Sequence, residues 1–234
     1  MRVAQITLRD ASEYEKKCRR VDSVALPPEH EIVENERDAD VVHVYGSGVR
    51  RPRRRWFEIA AKRPPHSTAH IPEAVEEQYF AQTATDGAGV GVFVRPLVRN
   101  LVEQTQHRVH RTRDDIAWRL FDRVPTPDDM VQVAVWLDPA VADDDFDGFV
   151  AEALAMGRIV VASRTPINVQ RLEKGRTGFL VPPDANEMTH AILAALYKPE
   201  VGRPRADAAR QTVSKFRPKQ RLRALTALYE RVRS

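Results

Sequence analysis

The sequence predicts an α/β fold in which mostly parallel strands are covered by helices, and three of its features lead to that prediction. Unbroken apolar segments such as VVHVYGSG (41–48) and VQVAVWLDP (131–139) are typical of strands buried on both faces of a parallel sheet. These segments alternate with stretches of helical pattern, as in β-α-β units. The chain has 234 residues, enough for one large or two small domains. We therefore expect about six or seven strands in a doubly wound arrangement.

The first part of the chain has the pattern of a small parallel sheet. MRVAQITL is a short β-branched strand, residues 10–20 are expected to be helical, and HEIV at 30–33 is a second strand. The segment 41–48 passes from His43 into glycine turns. Ligands of parallel sheets bind at the carboxyl ends of the strands, so this turn is a candidate ligand-facing region.

The middle of the chain combines a short helix, IPEAVEEQYF, with a glycine-rich strand, GAGVGVFVRP (87–96), that ends after Arg95. The glycines do not match the dinucleotide-binding motif G-x-G-x-x-G, because they precede a strand rather than a helix. We therefore assign no phosphate-binding role to them. Residues 97–121 are expected to form one long polar helix. Its candidate core positions are Leu97, Leu101, Val109, Ile116 and Leu120.

The second half of the chain repeats strand and helix in β-α-β order. The strand at 131–139 is followed by a helix at 148–156 and by the strand RIVVAS at 158–163. A helix at 168–174 and the strand TGFLVPP come next. The remaining expectations are a helix at 187–197 capped by Asn186, a loop marked by Pro199 and Pro204, and helices at about 205–215 and 218–232.

The composition is that of a folded cytoplasmic protein. Hydrophobic residues make up 42% and charged residues 30% of the chain, and no apolar run approaches the roughly 20 residues that cross a bilayer. The amino terminus lacks the pattern of a signal peptide. A single cysteine, Cys18, excludes an intramolecular disulfide and a zinc site built on several thiolates. We expect neither a metal nor a cofactor.

Arginines are concentrated in VRRPRRRWF (49–57) and in the last segment, RPKQRLRALTALYERVRS, although the net charge is only +4. Such clusters suit anionic partners, namely phosphates, nucleic acid or a membrane surface. No common nucleic-acid motif accompanies them, so we expect no specific nucleic-acid partner. The protein could also lie at the inner face of the membrane, with Arg50–Arg55 in contact with it.

Residues 131–183 resemble the carboxyl-terminal domain of retaining GT-B glycosyltransferases of family 4, the glycosyl transferases group 1. The resemblance lies in WLDPA, DDFDGFVAEALAMGRIVVAS and EKGRTGFLVPPDANEMTHAI. The segments MRVAQIT and ADVVHVYG look like the amino-terminal Rossmann half of that family, and LYERV like its final helix.

This resemblance implies a GT-B-like fold of reduced size. Its reduced amino-terminal half, on the acceptor side, would comprise residues 1–86. The half that binds the nucleotide sugar would comprise residues 87–215, and a helix at 216–234 would pack back on the first half.

The resemblance also implies roles for individual residues. Glu152 corresponds to the acid that holds the ribose hydroxyls, and Asp144 to the acid that contacts the donor sugar, with Asp143, Asp145 and Asp147 as rivals. Arg95 and Arg99 would neutralise the diphosphate leaving group, as fixed cations do in a transition state. The expected catalytic residues are thus Asp144, Arg95 and Arg99, and the expected donor-binding residues are Glu152, Asp147, Gly148 and Phe149. His43 is either an acceptor-side residue or a structural histidine.

The implied activity is transfer of a hexose-type sugar from a nucleotide sugar to an unknown acceptor, with retention. The acceptor would be anionic or lipid-linked if the arginines face it. The protein could also form a homo-oligomer. Three departures from the family support an alternative: the chain is short, Asp144 replaces a glutamate, and Gln170 stands where the family has an acid. The alternative is a non-catalytic protein that binds a nucleotide sugar or a partner.

Overall fold

Two parallel β-sheets form the framework of the protein. The computed structural model describes residues 2–7, 18–22, 30–33, 41–45, 56–59, 75–81, 87–141 and 149–233. Two compact units are present: Met1–Glu76 with Lys215–Ser234, and Glu77–Ser214. The predicted fold class, α/β with Rossmann-type parallel sheets and flanking helices, is confirmed.

The described elements have the following bounds. The strands are β1 (Arg2–Thr7), β2 (Glu31–Val33), β3 (Val41–Tyr45), β4 (Trp56–Ile59), β5 (Val90–Phe93), β6 (Trp118–Phe121), β7 (Val135–Asp138), β8 (Ile159–Ser163) and β9 (Phe179–Val181). The helices are α1, described over 18–22, then α2 (Gln78–Ala81), α3 (Arg99–Thr112), α4 (Pro127–Val131), α5 (Val150–Ala155), α6 (Pro166–Arg171), α7 (Ala185–Tyr197), α8 (Pro199–Thr212) and α9 (Pro218–Arg233).

The first unit contains a sheet of order β2-β1-β3-β4 in which every neighbouring pair is parallel. Helix α9, from the end of the chain, contacts β3 and buries Leu225 and Tyr229. A buried ion pair also ties α9 to α1, since Arg221 Nε and Nη2 donate to the two carboxylate oxygens of Asp22 at 2.6 and 2.9 Å. The carboxyl-terminal helix is therefore part of the core of this unit.

The second unit contains a parallel sheet of order β6-β5-β7-β8-β9. One face packs against α3 and α7 through a buried cluster of apolar side chains. In the register of the central strands, Gly91 is paired with Trp136, which is paired with Val160. A Cβ atom on Gly91 would lie 2.9 Å from the Trp136 ring, so glycine makes room for the indole. Gly91 thus serves packing within β5.

The long helix predicted over 97–121 is wrong in its second half. Helix α3 ends at Thr112, because Arg113 is extended and donates its backbone N–H to Val109 O. A turn follows, and residues 118–121 are the edge strand β6. Two of the five expected core positions are solvent-exposed: Leu120, at 51%, lies on β6, and Leu97, at 74%, lies in the 3-10 turn Pro96–Val98 before α3 begins.

Two predictions about helix ends are also corrected. The N-cap of α7 is Asp184, whose carboxylate accepts from the backbone N–H groups of Asn186 and Glu187, so Asn186 is not the cap. Helix α8 begins at Pro199 and contains Pro204, where a loop was expected. Proline at the first helical position costs no hydrogen bond, because that N–H has no partner in a helix.

Candidate functional site

Four polar residues lie together at the carboxyl edge of the second sheet. Arg95 follows β5, Asp138 is the last residue of β7, and Ser163 is the last residue of β8. Because these strands are parallel neighbours, their carboxyl ends meet at one edge. Asn168, on α6, completes what we call the edge cluster, formed by Arg95, Asp138, Ser163 and Asn168.

Hydrogen bonds connect the members of the edge cluster. Arg95 Nη2 donates to Asp138 Oδ1 at 2.8 Å, with side-chain exposures of only 10% and 1%. Asn168 Nδ2 donates to Asp138 Oδ2 at 2.7 Å and to the backbone oxygen of Ser163 at 3.1 Å. Both carboxylate oxygens of Asp138 therefore accept a hydrogen bond, one from each side.

Local sequence explains how Asn168 reaches this position. Thr165 is the N-cap of α6, and its hydroxyl accepts from the backbone N–H of Asn168 at 3.3 Å. Pro166 occupies the first helical turn, where its fixed φ suits the helix. The cap and the proline start α6 directly after β8, so that Asn168 lies one turn from Ser163.

The amide of Asn168 has one possible orientation. Its two contacts, Asp138 Oδ2 and Ser163 O, are both acceptors, so the nitrogen must face them. Asn168 Oδ1 is then buried without a hydrogen-bond partner among the described residues. An unmet acceptor costs about 1–3 kcal/mol, comparable with the roughly 1.5–3 kcal/mol of a hydrogen bond to a charged group. The orientation is set by the bond to Asp138.

Glu152 lies near the start of α5, and its side chain is almost fully buried, at 2% exposure. A carboxylate is costly to bury unless it is paired or hydrogen-bonded, and the first turn of a helix is a favourable position for it because the N-terminal end carries partial positive charge. Helix α5 contacts β7, β8 and α6. Glu152 is thus a buried acid on a helix that borders the strands of the edge cluster.

The residue that begins α5 has an unusual backbone. Phe149 is its N-cap and adopts a left-handed conformation, with φ 52° and ψ 32°. Its ring packs edge to face on Phe93 of β5, with centroids 5.1 Å apart. Such a conformation costs about 1–3 kcal/mol and persists where surrounding contacts impose it. The ring contact therefore anchors the start of α5 to the end of β5.

The predicted site residues have different surroundings. Arg95 belongs to the edge cluster, with its charge balanced by Asp138. Arg99 is exposed on the first turn of α3. Phe149 is buried against Phe93. The predicted residues Asp144, Asp147 and Gly148 lie outside the described residues.

His43 lies in the core of the first unit. Its side chain is fully buried, and Nδ1 is hydrogen-bonded to the Tyr229 hydroxyl at 2.9 Å. Burial, and secondarily the positive charge of Arg221, hold the pKa of His43 well below its usual value. Of the two roles considered for His43, these contacts favour the structural one.

Sequence reasoning did not assign Asp138 or Asn168 to the site. The sequence offered two signals: Asp138 stands at the end of an otherwise apolar strand, and Arg95 follows the glycine-rich strand. Within the described ranges, no group of three or more metal-ligating side chains occurs, and no helix in those ranges is long and apolar enough to cross a membrane.

The family model described as Glycosyl transferases group 1 matches residues 101–198, which is less than half of the 234 residues. The matched range includes Asp138, Glu152 and Asn168, whereas Arg95 and Arg99 precede it. No curated protein matches the sequence.

Solved structures are similar in fold. The crystal structure of a glycosyltransferase from Rickettsia africae ESF-5 has a TM-score of 0.65 at 11% identity, over 99% of this chain and 98% of that chain. A mutant of S. aureus TarM, in complex with Fondaparinux, alpha-GlcNAc-glycerol and UDP, has a TM-score of 0.53 at 15% identity, over 84% of this chain and 45% of that chain. The chain therefore has the GT-B-like fold expected from its sequence, and residues 101–198 match the glycosyl transferases group 1.

Proposed function

We propose that the protein is a glycosyltransferase that moves a hexose-type sugar from a nucleotide sugar to an acceptor with retention, as family 4 enzymes do. The observation that carries the proposal is Glu152. It is a buried acid on the first turn of α5, inside the range that matches the glycosyl transferases group 1. A buried carboxylate accepts hydrogen bonds well, and the vicinal hydroxyls of a ribose are suitable donors.

The remaining roles follow from charge. In the proposed donor complex, Asp144 contacts the sugar, and Asp147, Gly148 and Phe149 border the phosphates. Arg95 and Arg99 stabilise the diphosphate as it leaves, because negative charge develops there in the transition state. Asp138 balances the charge of Arg95, so the exposed Arg99 supplies more of the net attraction.

Comparison with solved structures supports this proposal in two ways. The Rickettsia africae glycosyltransferase has almost the same extent as this chain, since the match covers 98% of it. A short chain is therefore compatible with the GT-B-like fold of a glycosyltransferase. The TarM complex contains UDP, and a nucleoside diphosphate is the product that a nucleotide-sugar donor leaves behind.

We propose an anionic or lipid-linked acceptor and a cytoplasmic location, with contact to the inner membrane face through Arg50–Arg55. A cationic segment attracts an anionic surface electrostatically. These arginines lie outside the described residues. A homo-oligomer is also compatible with the proposal.

Turnover is the test. The full-length protein is incubated with UDP-, GDP- and ADP-glucose and with the corresponding N-acetylglucosamine donors, and release of nucleoside diphosphate is followed. We expect release from one donor class, with water taking the place of the unknown acceptor, and proton NMR of the sugar first released, before it mutarotates, should show the anomeric configuration of the donor. Inversion at the anomeric carbon would overturn the retaining mechanism. Failure to bind or to turn over any of these donors would overturn the proposed activity.

A second candidate function is donor binding without transfer. Gln170, which stands where the family has an acid, is exposed on α6 and provides an amide in place of a carboxylate. An amide still forms hydrogen bonds but carries no charge. Donor binding in calorimetry without nucleotide release would favour this candidate.

A further inference from the structure

Asp138 and Asn168 of the edge cluster have no contact with the donor in the proposed function. Asp138 and Asn168 are both buried, at 1% and 0% exposure. The contacts they make span three structural elements, because Arg95 follows β5, Asp138 ends β7 and Asn168 lies on α6. The Asp138 carboxylate thus joins Arg95 to α6, the helix that follows β8.

The geometry restricts Asp138 more than one ion pair would. A carboxylate held at a single oxygen can rotate about its last bond, and an arginine bound to it can follow. Here Oδ1 accepts from Arg95 at 2.8 Å while Oδ2 accepts from Asn168 at 2.7 Å. Asn168 is itself fixed by Ser163 O and by the cap of α6. The Arg95 guanidinium is therefore supported from β8 through α6 and β7.

We propose that Asp138 and Asn168 are positioning residues that orient Arg95 toward the diphosphate of the donor. This inference rests on the proposed function, since it takes the diphosphate contact of Arg95 from it. Asp138 and Asn168 do not touch the donor themselves. Their effect passes through Arg95, and the acid, the amide and the arginine act as one unit.

Asp138 has two opposing effects on a bound diphosphate. Its negative charge repels the phosphates, so removing that charge would strengthen binding if charge alone mattered. Its hydrogen bond fixes Arg95, so removing the carboxylate would weaken binding if orientation mattered more. We expect orientation to dominate, because Asp138 is held at both oxygens and has almost no exposed surface.

The test is calorimetric titration of the full-length protein with UDP, GDP and ADP and with the corresponding monophosphates. The variants are Asp138→Asn, which removes the charge, and Asn168→Ala, which keeps the Asp138–Arg95 pair and removes one support. Asn186→Ala, at an exposed position on α7, is the matched control. For the diphosphate that binds best, we expect the Kd to rise about tenfold for Asp138→Asn and about threefold for Asn168→Ala.

The monophosphates separate orientation of Arg95 from general damage to the fold. If the two residues position Arg95 on the diphosphate, the ratio of diphosphate to monophosphate affinity falls in both variants and is unchanged in Asn186→Ala. If Asp138→Asn fails to fold, as judged by thermal unfolding, Asn168→Ala alone decides.

Two outcomes overturn the inference, and they are distinguishable. Wild-type binding of a diphosphate, with an equal or higher affinity ratio in the variants, would overturn the positioning role and leave the proposed function intact. Absence of wild-type binding to all three diphosphates would overturn the proposed function, and the positioning role with it.

Discussion

Arg95 illustrates how a buried partner changes the interpretation of a single residue. The sequence places an arginine just after a glycine-rich strand, which suggests a cation available for phosphate. In the structure, Asp138 accepts a hydrogen bond from it at 2.8 Å and balances its charge. Two unit charges 4 Å apart interact by about 4 kcal/mol at an effective dielectric constant of 20, so this pair alters the field at the sheet edge considerably.

The residues of the candidate site could be predicted only where a motif marked them. Glu152 lies in the segment 131–183 that resembles the family closely, and its burial on the first turn of α5 fits the expected role. Asp138 could not be paired with Arg95, because they are 43 positions apart in the chain and meet only through the strand order. Asn168 is likewise 30 positions from Asp138.

His43 gives a prediction about pH. Its folded-state pKa lies well below 6.5 because of burial and Arg221, whereas an unfolded histidine titrates near 6.5. Above that pH the imidazole is neutral in both states, so the group costs nothing. As the pH falls below 6.5, the unfolded state binds a proton that the folded state does not, and stability declines. At pH 5.5 the loss from this group is on the order of 1 kcal/mol.

Denaturant unfolding at pH 7.5 and 5.5 checks this prediction. We expect His43→Gln, which can keep a hydrogen bond to Tyr229, to lose less stability between the two pH values than the wild type does. His190→Gln, at an exposed position on α7, is the control and should behave as the wild type. Equal losses in His43→Gln and the wild type would show that His43 does not resist protonation.

At the scale of elements, capping residues define where helices begin. Helix α4 has a complete capping box: the Thr126 hydroxyl accepts from Asp129 N, and the Asp129 carboxylate accepts from Thr126 N. Arg123 is the main cause that lowers the pKa of Asp129 to about 2, followed by the contacts with Thr126. The sequence contained this signal as Thr-Pro-Asp-Asp.

Thr126→Ala tests the capping box. The substitution removes an acceptor for an N–H at the start of α4, and such changes typically cost about 1 kcal/mol. Thr112→Ala is the control: its hydroxyl is exposed and donates only to Arg108 O within α3, so the change should stay within about 0.5 kcal/mol. Equal free energies of unfolding for the two variants would contradict the role assigned to Thr126.

Elements buried on both faces were predictable, and those at an edge were not. β5, β7 and β8 have the unbroken apolar pattern of central strands, and their buried positions confirm it. β6 is half exposed and pairs on one side only, so its sequence, WRLF, carries no strand periodicity. The polar helix before it therefore seemed to continue to residue 121.

For the whole molecule, the sequence predicted the sheets and helices better than it predicted every strand and the buried polar contacts. Two parallel sheets with flanking helices follow from repeated apolar strands and intervening helical patterns, and the similar solved structures agree with that fold. The strand at 56–59 was not predicted, because its short apolar segment lies among arginines and prolines. The buried polar contacts of each unit could not be predicted from the sequence, because they join residues that are far apart in the chain.

If the second unit binds a nucleotide through Glu152, the protein should distinguish ribose from deoxyribose ligands. The nucleoside diphosphate that binds best among UDP, GDP and ADP is titrated beside its 2′-deoxy form into wild type, Glu152→Gln and the exposed control Glu187→Gln. A charged hydrogen bond contributes about 1.5–3 kcal/mol, so wild type and control should prefer the ribose form at least about tenfold. Glu152→Gln should lose most of that preference. An unchanged preference in Glu152→Gln, or none in the wild type, would contradict it.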